Sequence, residues 1–300
     1  MKKNIYLIVL AFFAVYVIWG STYLLNKIAV SDLPPLFLGG IRFTCAGLLI
    51  FIIAKVLKQK ITITKTQIKN CAIASFFFLA YGNGVFVWAL KYIDSGFASL
   101  LTATQPLVVL LMMWLIDGKK IKLQSMVGVV LGLIGIYLLI GQDEILNSEN
   151  QIIGILMGFS CILSWSYASI FVSKAELPKN FFISAGYQML FGGLALFVSS
   201  LIIGENWVHP ADWKDITHIV IILLIIFGSI VAFTAFNYLL KFVSTEKVAT
   251  STYVNPIVAL FLGSYFLDEK VSTQSIIAAG ILFVGVYFIN SKRKVKSKEV

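Results

Sequence analysis

Long apolar runs, separated by short polar breaks, cover the chain from Ile5 to Ile289. Ten stand out: 5–29, 36–57, 68–90, 97–116, 123–140, 152–172, 181–203, 216–240, 248–267 and 275–289. Most approach the ~20 apolar residues that a helix needs to cross a bilayer core; the fifth and tenth are the shortest. Backbone groups in lipid must find their hydrogen bonds within the protein, so each run is expected to be a helix. The expected fold class is an all-α integral membrane protein with ten transmembrane helices.

Composition agrees. The 300 residues are 59% hydrophobic and 13% charged, with a mean hydropathy of +0.92. A soluble domain of this size has too little interior for so much apolar surface. Met1-Lys2-Lys3 before an apolar run resembles a secretory leader, but the run continues past Trp19 without a small-residue cleavage site. It reads as the first membrane helix. Cys45, Cys71 and Cys161 lie inside apolar runs and read as packing residues, with no disulfide or metal site expected.

The net charge of +10 could point to nucleic acid, but its distribution points to a membrane. With the N-terminus inside, only Lys27, Arg42, Lys91, Lys214 and Lys270 of the 24 Lys and Arg fall on the outer half. The other 19 sit at cytoplasmic ends and loops, a strong positive-inside bias. Both termini are therefore expected to be cytoplasmic and the 142–151 link external. The basic tail, 291–300, is expected to lie against anionic lipid.

The chain also repeats itself. Thr-Ala-Thr-Gln-Pro at 102–106 recurs as Thr-Tyr-Val-Asn-Pro at 252–256. The same offset carries Lys91 onto Lys241, Gly135 onto Gly285 and Tyr137 onto Tyr287. Two halves follow, 5–140 and 152–290. Five spans in each half make the halves inverted repeats, the build of alternating-access carriers.

Polar residues inside the spans are the candidate site. Arg42 lies seven positions after Pro35, roughly 10 Å along its helix. A charge at that depth normally faces the protein interior. No acid lies deep in any span, so its partners are carbonyls, water, a loop acid such as Asp32 or Asp94, or an anionic group on a substrate. Two readings stay open: Arg42 snorkels outward and pins a loop, or its guanidinium fork clamps a carboxylate. The aligned residue in the second half is Gln188, so the charge is asymmetric.

Pro106 and Pro256 are expected in mid-helix as hinges, each leaving the carbonyl of Thr102 or Thr252 without its N–H partner. Gln105 and Asn255 lie beside them. Trp19, Thr22 and Asn26 share a face of the first helix, and Tyr81 and Trp88 a face of the third. Trp165 aligns with Trp19, with Tyr167 just after it, and Thr234 and Asn237 lie one turn apart. Such residues are as readily core as ligand contacts; as a set they should converge inward. Gly128 and Gly132 allow close helix packing, read as internal. Trp207 and Trp213 read as interface anchors.

Tyr16-Val-Ile-Trp-Gly-Ser-Thr22, Arg42-Phe43 with Ala46-Gly47, and the 95–106 and 245–256 helices resemble the EamA family of the drug/metabolite transporter superfamily. The resemblance covers about 5–290. It implies a bacterial inner-membrane exporter of amino acids, related metabolites, pigments or toxic compounds, with some importers.

Absent motifs narrow the field. No Walker-type loop is present. The only histidines, His209 and His218, fall at or near an external loop, leaving no buried Ser–His dyad or zinc site. No membrane glutamate matches that of small multidrug antiporters. The expectation is a non-enzymatic secondary carrier without cofactor or metal, monomer or weak homodimer, exporting small metabolites such as amino acids or their derivatives. The alternatives are a non-transporting sensor or assembly protein on the same fold, and an importer or exchanger.

Overall fold

A computed structural model describes residues 5–118, 123–140, 149–249 and 251–290. The described regular elements are all helical. In chain order they are α1 (Ile5–Val30), α2 (Pro35–Val56), α3 (Lys65–Ala89), α4 (Ser95–Thr102), α5 (Gln105–Asp117), α6 (Leu123–Ile140), α7 (Glu149–Lys174), α8 (Phe181–Ile203), α9 (Asp215–Phe242), α10 (Thr245–Ala249), α11 (Ser251–Leu267) and α12 (Thr273–Asn290). A 3₁₀ turn, Pro210–Asp212, precedes α9. Among the described residues, seven segments are long and apolar enough to cross a membrane: α1, α2, α3, Ser95–Ile116, Asn150–Lys174, α8 and α9. Shorter apolar stretches are Ser125–Leu139 and Thr273–Gly285.

Helix ends follow local chemistry. Pro35 opens α2, where its missing N–H costs nothing. Thr64 and Gln67 form a reciprocal capping box on α3, and Asn180 accepts from the Phe182 amide at the start of α8. Left-handed residues follow four helices: Lys58 after α2, Gly118 after α5, Gly204 after α8 and Asp268 after α11. They pair across the halves. Lys58 and Gly204 are 146 residues apart, the spacing of Arg42 and Gln188; Gly118 and Asp268 are 150 apart, the spacing of Pro106 and Pro256.

The fourth apolar run is not one helix. It breaks at Ala103–Thr104, and Pro106 stands in the first turn of α5. Proline is at home there because first-turn amides have no intrahelical acceptor. Contrary to the expectation from sequence, Pro106 therefore does not kink a continuous helix, while Pro256 does lie inside α11.

Three helices change pitch. α1 winds as a π-helix over Ala14–Ile18, α3 over Phe76–Asn83 and α9 over Leu224–Val231. A π turn shifts the side-chain register. In two of these segments a carbonyl is taken by the first helix of the opposite half: Ser164 Oγ donates to Phe77 O at 2.7 Å and Trp19 Nε1 to Gly228 O at 2.9 Å.

The packing is closest between α2 and α8 and between α6 and α12. A Cβ on Gly47 would stand 2.9 Å from Leu190 N, and one on Gly285 2.9 Å from Gly128 O and 3.0 Å from Gly132 N. The Gly128/Gly132 face is thus an internal contact with α12. All three cysteines are free.

Candidate functional site

A cavity of about 110 Å³ lies between α1, α2, α3, α4, α5, α7, α9, α10 and α11. That is several times the space one water needs. Arg42 enters it from α2. Its Nε donates to Ser229 Oγ at 2.8 Å and its Nη1 to Asn26 Oδ1 at 3.1 Å, while the guanidinium sits 4.8 Å from the Phe43 ring centroid. Arg42 is 3% exposed. Nη2 has no hydrogen-bond partner among the described residues and lies where a Cβ on Gly228 would stand 3.0 Å away.

Among the described residues no carboxylate reaches this guanidinium. Of the two loop acids considered as partners, Asp32 accepts from Thr217 Oγ1 at 2.7 Å and from the Lys214 amide, with the Lys214 ammonium 3.9 Å away. Burial opposes the Asp32 charge, but those contacts outweigh it and hold its carboxyl below the ordinary range. Asp94 lies 3.9 Å from Lys27, whose Nζ donates to Leu90 O and Ile93 O. The guanidinium is held by neutral oxygens, so it does not snorkel to a loop.

Trp19, Thr22, Asn26, Arg42, Thr102, Gln105, Trp165, Thr252 and Asn255 all line this one cavity. Trp19 and Trp165, aligned in the two halves, meet edge to face at 5.7 Å, and Phe236 lies 4.8 Å from Trp19. They form an aromatic wall facing the polar groups. The threonines largely serve the backbone. Thr102 Oγ1 donates to Ser99 O and shares a 2.6 Å hydrogen bond with Tyr23 Oη; Thr252 Oγ1 donates to Ala249 O. With its nitrogen turned toward carbonyls, Asn255 donates to Tyr16 O at 2.7 Å. The Gln105 amide makes no hydrogen bond among the described residues.

Four expected site residues lie elsewhere. The π segment of α3 rotates Tyr81 to the surface against Phe76, and Trp88 lies off the cavity wall. The same shift brings Asn83 and Phe86 to the wall instead. Tyr167, two positions after Trp165, points roughly the opposite way and packs on Phe77 and Phe171. Asn237 is buried outside the cavity, accepting from Gln188 Nε2 at 3.0 Å and donating to Phe233 O.

Sequence reading missed Asn83. Its amide makes no hydrogen bond among the described residues, and its Oδ1 is fully buried. A buried polar atom without a partner calls for an explanation. One in a π segment lining a cavity fits ligand recognition. The sequence signal was a lone polar residue between Gly82 and Gly84 in an apolar run.

At one end, hydrogen bonds between Tyr23 and Thr102 and from Lys27 to Leu90 O and Ile93 O tie α1 to α4 and to the turn before it. At the other end the cavity lining extends to Leu240, Thr245 and Val248. Among the described residues no group of three or more His, Cys, Asp or Glu could hold a metal.

A family match places this all-helical protein, with its polar and aromatic cavity, in the class of membrane transporters. The chain is a member of the EamA-like transporter family, whose model matches twice, at residues 6–141 and 152–291. It is 33% identical over 280 residues to the "Uncharacterized inner membrane transporter YedA" of Escherichia coli (strain K12), covering 93% of this chain and 89% of that protein. The "Uncharacterized transporter YoaV" of Bacillus subtilis (strain 168) is 25% identical, over 96% of this chain and 99% of its own length. The "Probable amino-acid metabolite efflux pump" of Escherichia coli (strain K12) is 24% identical, with 91% of each covered. A solved crystal structure shares the fold, with a TM-score of 0.70 at 18% identity over 94% of this chain and 95% of that one.

Proposed function

We propose that this protein is a secondary carrier that moves a small carboxylate-bearing or neutral metabolite across the inner membrane by alternating access, in the outward direction. Amino acids and their derivatives are the leading class. The observation that carries the reading is Arg42: a buried guanidinium in a cavity, held by Asn26 and Ser229, with no carboxylate opposite and one nitrogen unused among the described residues. A buried charge left without a counter-ion is costly. An anionic substrate group supplies that counter-ion and leaves with the substrate. Apolar side chains would stack on Trp19 and Trp165. The relative named as an amino-acid metabolite efflux pump supports the substrate class and direction.

In this reading the halves are inverted five-helix repeats, 5–140 and 152–290, with both termini cytoplasmic. The double family match, the paired left-handed residues and the pitch changes in both α3 and α9 support it. The working unit is a monomer, since each half contributes to one cavity.

The test is flux of a labelled amino-acid and metabolite panel in proteoliposomes holding the parent or Arg42→Gln. Carboxylate substrates should lose at least about tenfold in kcat/KM, the weight of one charge-assisted contact, and their neutral amide or ester analogues less. Equal loss for both, or efficient transport of quaternary ammonium compounds untouched by the substitution, overturns the reading.

A further inference from the structure

Glu269 lies in the turn between α11 and α12, far from the cavity in sequence. Its Oε1 accepts from the Ser95 amide at 2.9 Å, and its Oε2 from Ser95 Oγ and the Gly96 amide, each at 2.9 Å. A carboxylate from the second half thus fills the N-terminus of α4 in the first half, where free amides and the helix dipole favour negative charge. The socket is shaped for it. A Cβ on Gly263 would collide with Oε2, and one on Gly96 would stand 2.6 Å from Leu260 and 3.4 Å from Oε2. The contact lies at the Lys27 end, beside Lys27 and Asp94.

The sequence does not repeat these residues at the corresponding positions. At the 150-residue spacing, Lys119 stands for Glu269, Glu246 for Gly96 and Met113 for Gly263. A lysine cannot accept amide hydrogens, so the repeat does not carry this carboxylate at the corresponding position of the first half.

We infer that Glu269 is a latch that holds the cavity shut at the Lys27 end, so that the carrier rests open toward the Thr245 end. This rests on the alternating-access reading above. Opening the Lys27 end requires α4 to part from the α11–α12 turn, which breaks all three hydrogen bonds together. Glu205 makes a similar contact, accepting from the Leu36 and Phe37 amides. It joins α2 to the end of α8, whose backbones pack more closely, a Cβ on Gly47 standing 2.9 Å from Leu190 N against 3.5 Å from Gly96 to Leu260 Cα, and acts as a static cap rather than a latch.

The test is accessibility, which needs no transport. In a background lacking Cys45, Cys71 and Cys161, a cysteine replaces Ser99, which is fully buried one turn inside Gly96. Its labelling by a membrane-impermeant maleimide is divided by that of a cysteine at exposed Lys270 on the same side. Glu269→Ala and Gly263→Ala should each raise this ratio by about tenfold or more, since a charge-assisted hydrogen bond is worth at least that factor. Glu205→Ala should leave it unchanged. Glu269→Gln, with one acceptor oxygen, should fall between. Hydrogen exchange of the 94–99 backbone, measured with the native cysteines, should accelerate in the same order and covers any variant that inserts poorly. A ratio unmoved by Glu269→Ala and Gly263→Ala, or raised equally by Glu205→Ala, overturns the latch. Absent flux in the parent overturns the carrier reading and leaves these ratios interpretable.

Discussion

Arg42 Nη1 donates to Asn26 Oδ1 at 3.1 Å, so the buried charge is oriented by a neutral amide. Asn26→Asp would place a carboxylate at that point, an internal counter-ion of nearly unchanged size. The variant is expected to hold or raise its unfolding temperature, because the guanidinium gains a charged partner. Its transport of carboxylate substrates is expected to fall about tenfold or more, since the substrate must compete with a resident anion. Initial rates in proteoliposomes and a thermal melt read the two effects. Parental carboxylate transport by Asn26→Asp would remove Arg42 from recognition.

The two prolines are expected to differ. Pro256 lies within α11, so Pro256→Ala restores an N–H to the carbonyl of Thr252 and stiffens the helix. One recovered backbone bond, about 0.5–1.5 kcal/mol, corresponds to a slowing of roughly two- to tenfold. Pro106 opens α5, where the missing N–H has no helical acceptor. Pro106→Ala should therefore stay within about twofold of the parental rate. Equal slowing in both variants would return the hinge role to Pro106.

Asp94 sets a pH dependence. Burial raises its carboxyl above the ordinary carboxylate range, Glu269 raises it further and Lys27 pulls it back. With the folded value raised, the associated stability is full below the unfolded value and is lost as pH rises through the folded one. Asp94→Asn removes that loss. It is expected to melt above the parent at about pH 7–8, with the gap closing as pH falls toward the carboxylate range near about 4. A gap that widens in acid would contradict this.

Gly285 meets Gly128 O and Gly132 N across the α6–α12 contact. Those are backbone atoms and cannot swing aside. Gly285→Ala should destabilise the folded protein by about 1–3 kcal/mol through overpacking, despite alanine's better helix propensity. Denaturant unfolding in detergent measures this; an unchanged midpoint would mean that the helices separate freely.

Orientation is testable with two cysteines in a cysteine-free background. Thr64→Cys is expected to label from the cytoplasm and Ser148→Cys from outside, following the Lys and Arg bias. The reverse pattern would invert the topology and place the Glu269 latch on the inner face.

The apolar runs alone determined the helical membrane class and most helix bounds to within a few residues, because a bilayer leaves the backbone few choices. The 123–140 and 181–203 runs match α6 and α8 end to end. The depth of Arg42 and the repeat-related Trp19 and Trp165 were legible too, since a buried charge must face inward and internal repeats preserve position. Three things were decided only in tertiary structure. Pitch changes exchanged Tyr81 for Asn83 and Phe86, because a constant 3.6-residue period cannot anticipate a π turn. The break at Ala103–Thr104 moved Pro106 from a hinge to a helix start. Ser229, one of the two partners of Arg42, lies 187 residues from it, and Ser95 lies 174 residues from Glu269. Pairings at such separations depend on how the helices cross, and hydropathy along the chain holds no record of that.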